Sequence, residues 1–148
     1  MRVLFDTNVI LDVMLDRAPF AAASAGIMSR AEAGELIGCV CATTVTTIHY
    51  LAMRATGAER ALGEVRKILS LFEIAPVNRA VLETALDLGF ADYEDAVLHE
   101  AARQIGAQGI VTRNPRHFKK ASVPVYAPEE LSQALDLRAR ESEETAPD

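Results

Sequence analysis

Residues 2–14 read RVLFDTNVILDVM, and their reading decides the fold. A short apolar run at 2–5 ends at an acid, Asp6, as a buried strand ends at a turn. Thr7 or Asn8 can cap a helix that continues through VILDVML. A strand followed at once by a helix is the first half of a β-α-β unit, and the rest of the chain repeats that alternation. Arg17-Ala18-Pro19 breaks the first helix, and a second is predicted from about Phe20 to Ala33, stopped by Gly34. LIGCVCA at 36–42 is a second buried strand, and Thr43 and Thr44 introduce a third helix ending near Gly57. Leu62, Val65, Ile68, Leu69 and Phe72 fall at helical spacing across a fourth helix, 58–72. EIAPV at 73–77 reads as extended, with Pro76 suited to an edge strand. Asn78 caps a helix to about Leu88, and Asp92 or Tyr93 starts another that runs to Gln104 and closes at Gly106. Strands follow at 109–112 and 123–126, and Pro128 fits the first turn of a last helix. The expected class is α/β, with a mainly parallel central sheet.

The chain's 148 residues fit one domain, expected over 1–140, with no repeat or linker to divide it. The end, ESEETAPD at 141–148, reads as a disordered acidic tail. It holds four acids and no base, so of the formal net charge of −6 only −2 belongs to the body. That balance neither supports nor excludes a nucleic-acid partner. No apolar stretch approaches the roughly 18 residues of a membrane span. Acids at 6 and 12 interrupt the N-terminal run where a secretory signal would be uninterrupted, so a cytoplasmic location is expected. Cys39 and Cys41, two apart on a strand, are expected to be reduced structural thiols.

In an open parallel sheet, ligands bind beyond the carboxyl ends of the strands. Asp6 after the first strand, Asp92 and Asp95 opening a helix, and Thr112-Arg113-Asn114 after GIVT all fall at such positions. Clustered carboxylates repel one another unless a cation neutralises them, and hard oxygen donors favour Mg²⁺ or Mn²⁺. Each residue also has an ordinary structural reading. Asp6 and Asp92 can cap helices, and Asp12 and Asp16 suit a solvated helix face. His99 and His117 more often serve structure.

Four segments together carry a resemblance: FDTNVILD at 5–12, TTVTTIHYL at 43–51, DYEDAV at 92–97 and GIVTRNPRHF at 109–118. In their order and spacing the chain resembles a PIN domain, the nuclease fold of VapC-type toxins. The resemblance implies a three-layer α/β/α fold and metal-dependent hydrolysis of RNA phosphodiesters. It also implies an Mg²⁺ or Mn²⁺ cofactor, a homodimer and a neutralising antitoxin. Carried over by position, Asp6 matches the first metal-binding carboxylate and Asp95 the third acidic position, with Asp92 one turn before it. Asn114 matches the fourth site, and Asn8 or Thr112 would orient the carboxylates. Arg113, Arg116, Lys119 and Lys120 are candidates for RNA phosphate contact. The chain departs from the pattern at the second acidic position, where His49 stands in place of Glu. Imidazole brings no negative charge, and Asn114 is neutral too, which predicts weaker metal binding. The competing expectation is a PIN-like module that binds RNA or protein but cuts poorly.

Overall fold

The computed structural model describes residues 1–147. Five strands form one parallel sheet: β1 (Arg2–Phe5), β2 (Ile37–Cys41), β3 (Glu73–Ala75), β4 (Gly109–Val111) and β5 (Val125–Tyr126). Their order across the sheet is β3-β2-β1-β4-β5. β1 is therefore central, which explains its apolar sequence: Val3, Leu4 and Phe5 are fully buried, as a strand covered on both faces must be. Glu73–Ala75 is an edge strand, in keeping with the proline that follows it.

Among the described residues, seven α-helices cover the two faces. Leu4, Cys41 and Ile110 point to one side, against α5 (Arg79–Leu86) and α6 (Tyr93–Gln104). Val3, Phe5, Val40 and Val111 point to the other, against α1 (Thr7–Met14), α2 (Ala21–Glu32), α3 (Ala42–Thr56), α4 (Ala58–Leu71) and α7 (Pro128–Thr145). The period-2 alternation of strand side chains thus divides the core into two halves, and the three-layer α/β/α expectation is met. Gly38 allows one close approach. A Cβ there would lie 2.8 Å from the ring of Phe72, which packs edge-on against Phe5.

Two local expectations need correction. Asp6, rather than Thr7 or Asn8, occupies the cap of α1 and accepts the Thr7 N–H at 2.7 Å. The last helix also runs through Glu141–Thr145, where a disordered tail was expected; Asp148 lies outside the described residues. Glu and Arg are good helix formers, and residues 129–146 contain neither Gly nor Pro, so acidity alone does not end the helix. Cys39 and Cys41 are free and buried. Among the described residues, no helix is long and apolar enough to cross a membrane.

Candidate active site

The chain reverses its direction of travel across the sheet at β1: β2 and β3 lie on one side, β4 and β5 on the other. A crevice opens at such a switch point, beyond the strands' carboxyl ends. Asp6 stands in it. Its N–H continues the β1–β4 pairing by donating to Val111 O at 2.9 Å. Its carboxylate receives the Thr7 N–H on Oδ1 and the Thr112 hydroxyl on Oδ2, the latter at 2.8 Å. The side chain is thus fixed from both flanking segments, and the residue is only 7% exposed. Burial raises its pKa, and the hydrogen bonds from Thr112 and Thr7 oppose that rise.

α6 supplies the other carboxylates. Asp92 caps the helix, its Oδ1 accepting the N–H groups of Glu94 at 2.8 Å and Asp95 at 3.2 Å. Asp95, on the first turn, receives no such bond. Burial pushes its carboxyl up to about 6, helped by the negative charges of Asp6 and Asp92. The capping role of Asp92 and its electrostatic coupling to Asp95 therefore coexist. Asp6, distant in sequence from Asp92 and Asp95, shares one field with them.

A cleft of about 520 Å³ runs beside them. Asp92 and Asp95 line it together with Phe90 and with Arg116, His117, Lys119 and Lys120, of which the arginine and the two lysines bring positive charge. These last four come from the short 3-10 helix Pro115–Phe118 and the residues after it, anchored by the buried Phe118. The cleft is bipolar, with carboxylates from one element and cations from another.

The candidate residues separate accordingly. Thr112 is the hydrogen-bond partner of Asp6, and Asn8 Oδ1 accepts the Arg113 N–H at 3.2 Å, so both support the crevice. Asn114 follows on the same segment, its N–H donating to Thr112 Oγ1 at 3.1 Å. Arg116, Lys119 and Lys120 face the cleft, but Arg113 does not line it. Its guanidinium bonds Asp12 at 3.2 Å and lies 4.3 Å from the centre of the Phe20 ring. Asp12, expected on a solvated face, is fully buried. His49 is half-buried two turns into α3, and no hydrogen bond or ion pair joins it to the carboxylates among the described residues. The imidazole near them is His117, expected to be structural, whose Nδ1 lies 3.8 Å from Asp95 Oδ2. Its signal in the sequence was its place three residues after Asn114, next to the anchoring Phe118. His99 is structural as expected: buried, with Nε2 accepting the Ser122 N–H at 3.0 Å.

Carboxylate oxygens suit a hard divalent cation. Among the described residues no group of three or more His, Cys, Asp or Glu side chains forms a ready-made cage. One or two carboxylates completed by water is nevertheless the usual way proteins hold Mg²⁺. The charge repulsion on Asp95 is the kind that such an ion relieves.

Comparison with known proteins agrees with this architecture. The family model described as PIN domain matches residues 2–116. Ribonuclease VapC1 of Aquifex aeolicus is 24% identical over 135 residues, covering 88% of this chain and 92% of its own length. VapBC2 from Rickettsia felis, solved bound to a DNA fragment from its promoter, superimposes with a TM-score of 0.67 at 14% identity, over 86% of this chain and 98% of the other. A toxin-antitoxin complex from Klebsiella pneumoniae gives 0.63 at 23% identity, over 85% and 97%.

Proposed function

As the chain belongs to the PIN-domain family, we propose that it is a divalent-metal-dependent endoribonuclease and the toxin of a toxin-antitoxin pair. One observation carries the reading: Asp6, just after β1, acts electrostatically on Asp95 of α6, and Asp92 and Asp95 line a cleft that also carries Arg116, His117, Lys119 and Lys120. A phosphodiester needs both halves, cations to hold its charge and carboxylates to organise its hydrolysis. The ribonuclease and the toxin-antitoxin complex among the similar proteins support substrate and partner respectively.

Asp6 and Asp95 are the proposed metal-binding pair, with Asp92 beside them and Asn114 as a neutral neighbour. Bound there, Mg²⁺ or Mn²⁺ would supply Lewis-acid stabilisation of the phosphoryl charge and acidify water. The protein's part is orientation. Thr7 and Thr112 hold the Asp6 oxygens in place, and Asp95 carries the free acceptors on which a nucleophilic water can be held. Arg116, Lys119 and Lys120 seat the RNA backbone, so a net-acidic chain binds a polyanion through one local patch.

The second reading, a weakly cutting binding module, is favoured by the neutral Asn114 and the lack of a ready-made cage among the described residues. A partner-free sample assayed on a broad RNA panel with Mn²⁺, Mg²⁺ or chelator separates the two. Cleavage that needs metal and disappears in Asp6→Asn supports the nuclease. Mn²⁺ binding without cleavage of any RNA would replace it with the binder.

A further inference from the structure

We propose that Asp12 is a positioning residue of the site: a buried carboxylate on α1 that acts through Arg113 to fix the segment carrying Thr112 and Asn114. The inference rests on the nuclease reading for its consequence in activity, but its geometry stands apart from it.

Asp12 is fully buried within a helix whose neighbouring residues Val9, Ile10 and Leu11 all belong to the core. Only its Oδ1 is engaged, by Arg113 Nη1 at 3.2 Å and more distantly by Arg17 Nη1 at 3.8 Å. Its Oδ2 is buried without a hydrogen-bond partner. An apolar residue of similar shape would serve stability better than a half-satisfied carboxylate. The charge therefore calls for a reason beyond packing.

Arg113 supplies one. The residue is gripped at three points: its N–H by Asn8 Oδ1, its guanidinium edge by Asp12, and its guanidinium face by Phe20. Asn8 and Asp12 are four residues apart on α1, so a single stripe of that helix takes hold of both the backbone and the side chain of one residue. The grip falls where regular structure ends. β4 stops at Val111, the Thr112 N–H makes a last bond to Tyr126 O of β5 at 2.9 Å, and the 3-10 helix starts at Pro115, so the N–H groups of Arg113 and Asn114 are held by side chains alone. Within this short irregular piece, Thr112 Oγ1 donates to Asp6 Oδ2 and accepts the Asn114 N–H. Releasing Arg113 loosens the hydroxyl that orients the Asp6 carboxylate. Asp12 touches neither substrate nor metal in this scheme; its influence passes through Arg113 and Thr112.

The test uses the full chain with Asp12→Leu, the milder Asp12→Asn, Arg113→Met and the double variant Asp12→Leu/Arg113→Met. Melting temperature, amide exchange at 112–114, Mn²⁺ affinity, and kcat and KM on RNA are measured for each. Asp12→Leu is expected to stay folded, with faster exchange of the Arg113 and Asn114 amides. Its kcat should fall about tenfold or more with KM little changed, the scale on which partners that orient metal ligands act. The double variant should be no worse than the worse single one, because both break the same link. A direct RNA contact by Arg113 predicts otherwise: Arg113→Met raises KM, while Asp12→Leu, freeing the guanidinium, leaves kcat intact. That pattern, or additive losses, overturns the proposal. Should Asp12→Leu fail to fold, Asp12→Asn takes its place with the same criteria. A wild-type chain that neither binds Mn²⁺ nor cuts RNA defeats the nuclease reading alone. Positioning is then judged on exchange: faster exchange at Asn114 supports it and unchanged exchange refutes it.

Discussion

Replacing Asp95 by Asn should make the metal-free protein more stable while removing its response to metal. The carboxyl is pushed from 3.8 to about 6 by burial and by the charges of Asp6 and Asp92. A raised carboxyl pKa means that the folded chain holds the proton more tightly than the unfolded one. The stability linked to that proton is fully present below about pH 4 and is lost as pH rises through about 6. At pH 7.5 the full shift of about 2 units opposes folding, and at about 1.4 kcal/mol per unit the ceiling is about 3 kcal/mol. The side chain is only 18% exposed, so solvent screens little of this. Asn removes the charge, keeps the shape and forfeits only a loose contact with His117 at 3.8 Å. For a chain of this size 1 kcal/mol moves Tm by roughly 2–4 °C, so a gain of about 5–10 °C is expected in chelator at pH 7.5. At pH 4.5 the gain should fall to about 1 kcal/mol, because the folded wild-type carboxyl is then protonated while the unfolded one is still mostly ionised. Adding Mn²⁺ should raise the wild-type Tm with concentration, as a ligand bound only by the folded state does, and leave the variant nearly unmoved. Thermal melts by circular dichroism across these conditions suffice. An Asn variant that melts at or below wild type in chelator at pH 7.5, or one whose gain is as large at pH 4.5 as at pH 7.5, would refute the repulsion argument.

Asp6→Asn should abolish metal-dependent cleavage with the fold intact, judged by an unchanged far-ultraviolet spectrum; wild-type turnover would remove Asp6 from the site. Changing Arg116, Lys119 or Lys120 singly to Ala should raise KM more than it lowers kcat and reduce the slope of log affinity against log salt by about one each, as a lost phosphate contact does. His49→Glu should leave Mn²⁺ affinity within about twofold, since among the described residues no hydrogen bond or ion pair joins His49 to the carboxylates; a tenfold tightening, about 1.4 kcal/mol, would bring that residue back into the site. Gly38→Ala should cost about 1–3 kcal/mol in urea unfolding, because its Cβ would meet the Phe72 ring at 2.8 Å in a packed core.

The alternation of strand and helix was legible because each strand is a short apolar run ended by a polar residue, and each helix carries a visible start or stop. Asn78 and Asp92 cap the helices where their sequence positions indicated. The order of strands was not legible, since pairing depends on the packing of five segments at once and no residue states its neighbour. Individual charges were harder still. A helical acid usually faces water, and only its place between the apolar triplets VIL and VML hinted that Asp12 is buried. Arg113 next to Asn114 looked like a phosphate contact because adjacency along the chain was taken for adjacency in space. Successive residues in an irregular segment can point in different directions, and here residue 113 turns toward α1 while the residues from 116 onward turn toward the cleft.

The same geometry bears on the neutral residue at 114. Asp6 is already held against the cost of burial by two hydrogen bonds, and Asp95 carries its charge against two neighbouring carboxylates. A further acid at 114, on the segment bonded to Asp6 through Thr112, would add a fourth negative charge to that field. Asn keeps the polar surface and omits that repulsion, so the fold holds together without metal at smaller cost. The other side of that choice is affinity, because each carboxylate removed weakens the attraction for a divalent ion. Arg116, Lys119 and Lys120 cannot make up the loss, since cations in the same cleft repel a metal as they attract phosphate. The RNA backbone can. A phosphate seated on those side chains brings its own oxygens to the rim, and Mg²⁺ is commonly held by one or two carboxylates together with substrate phosphates. Metal and substrate should then bind in a mutually reinforcing way, each completing for the other a site that the protein alone leaves part-built.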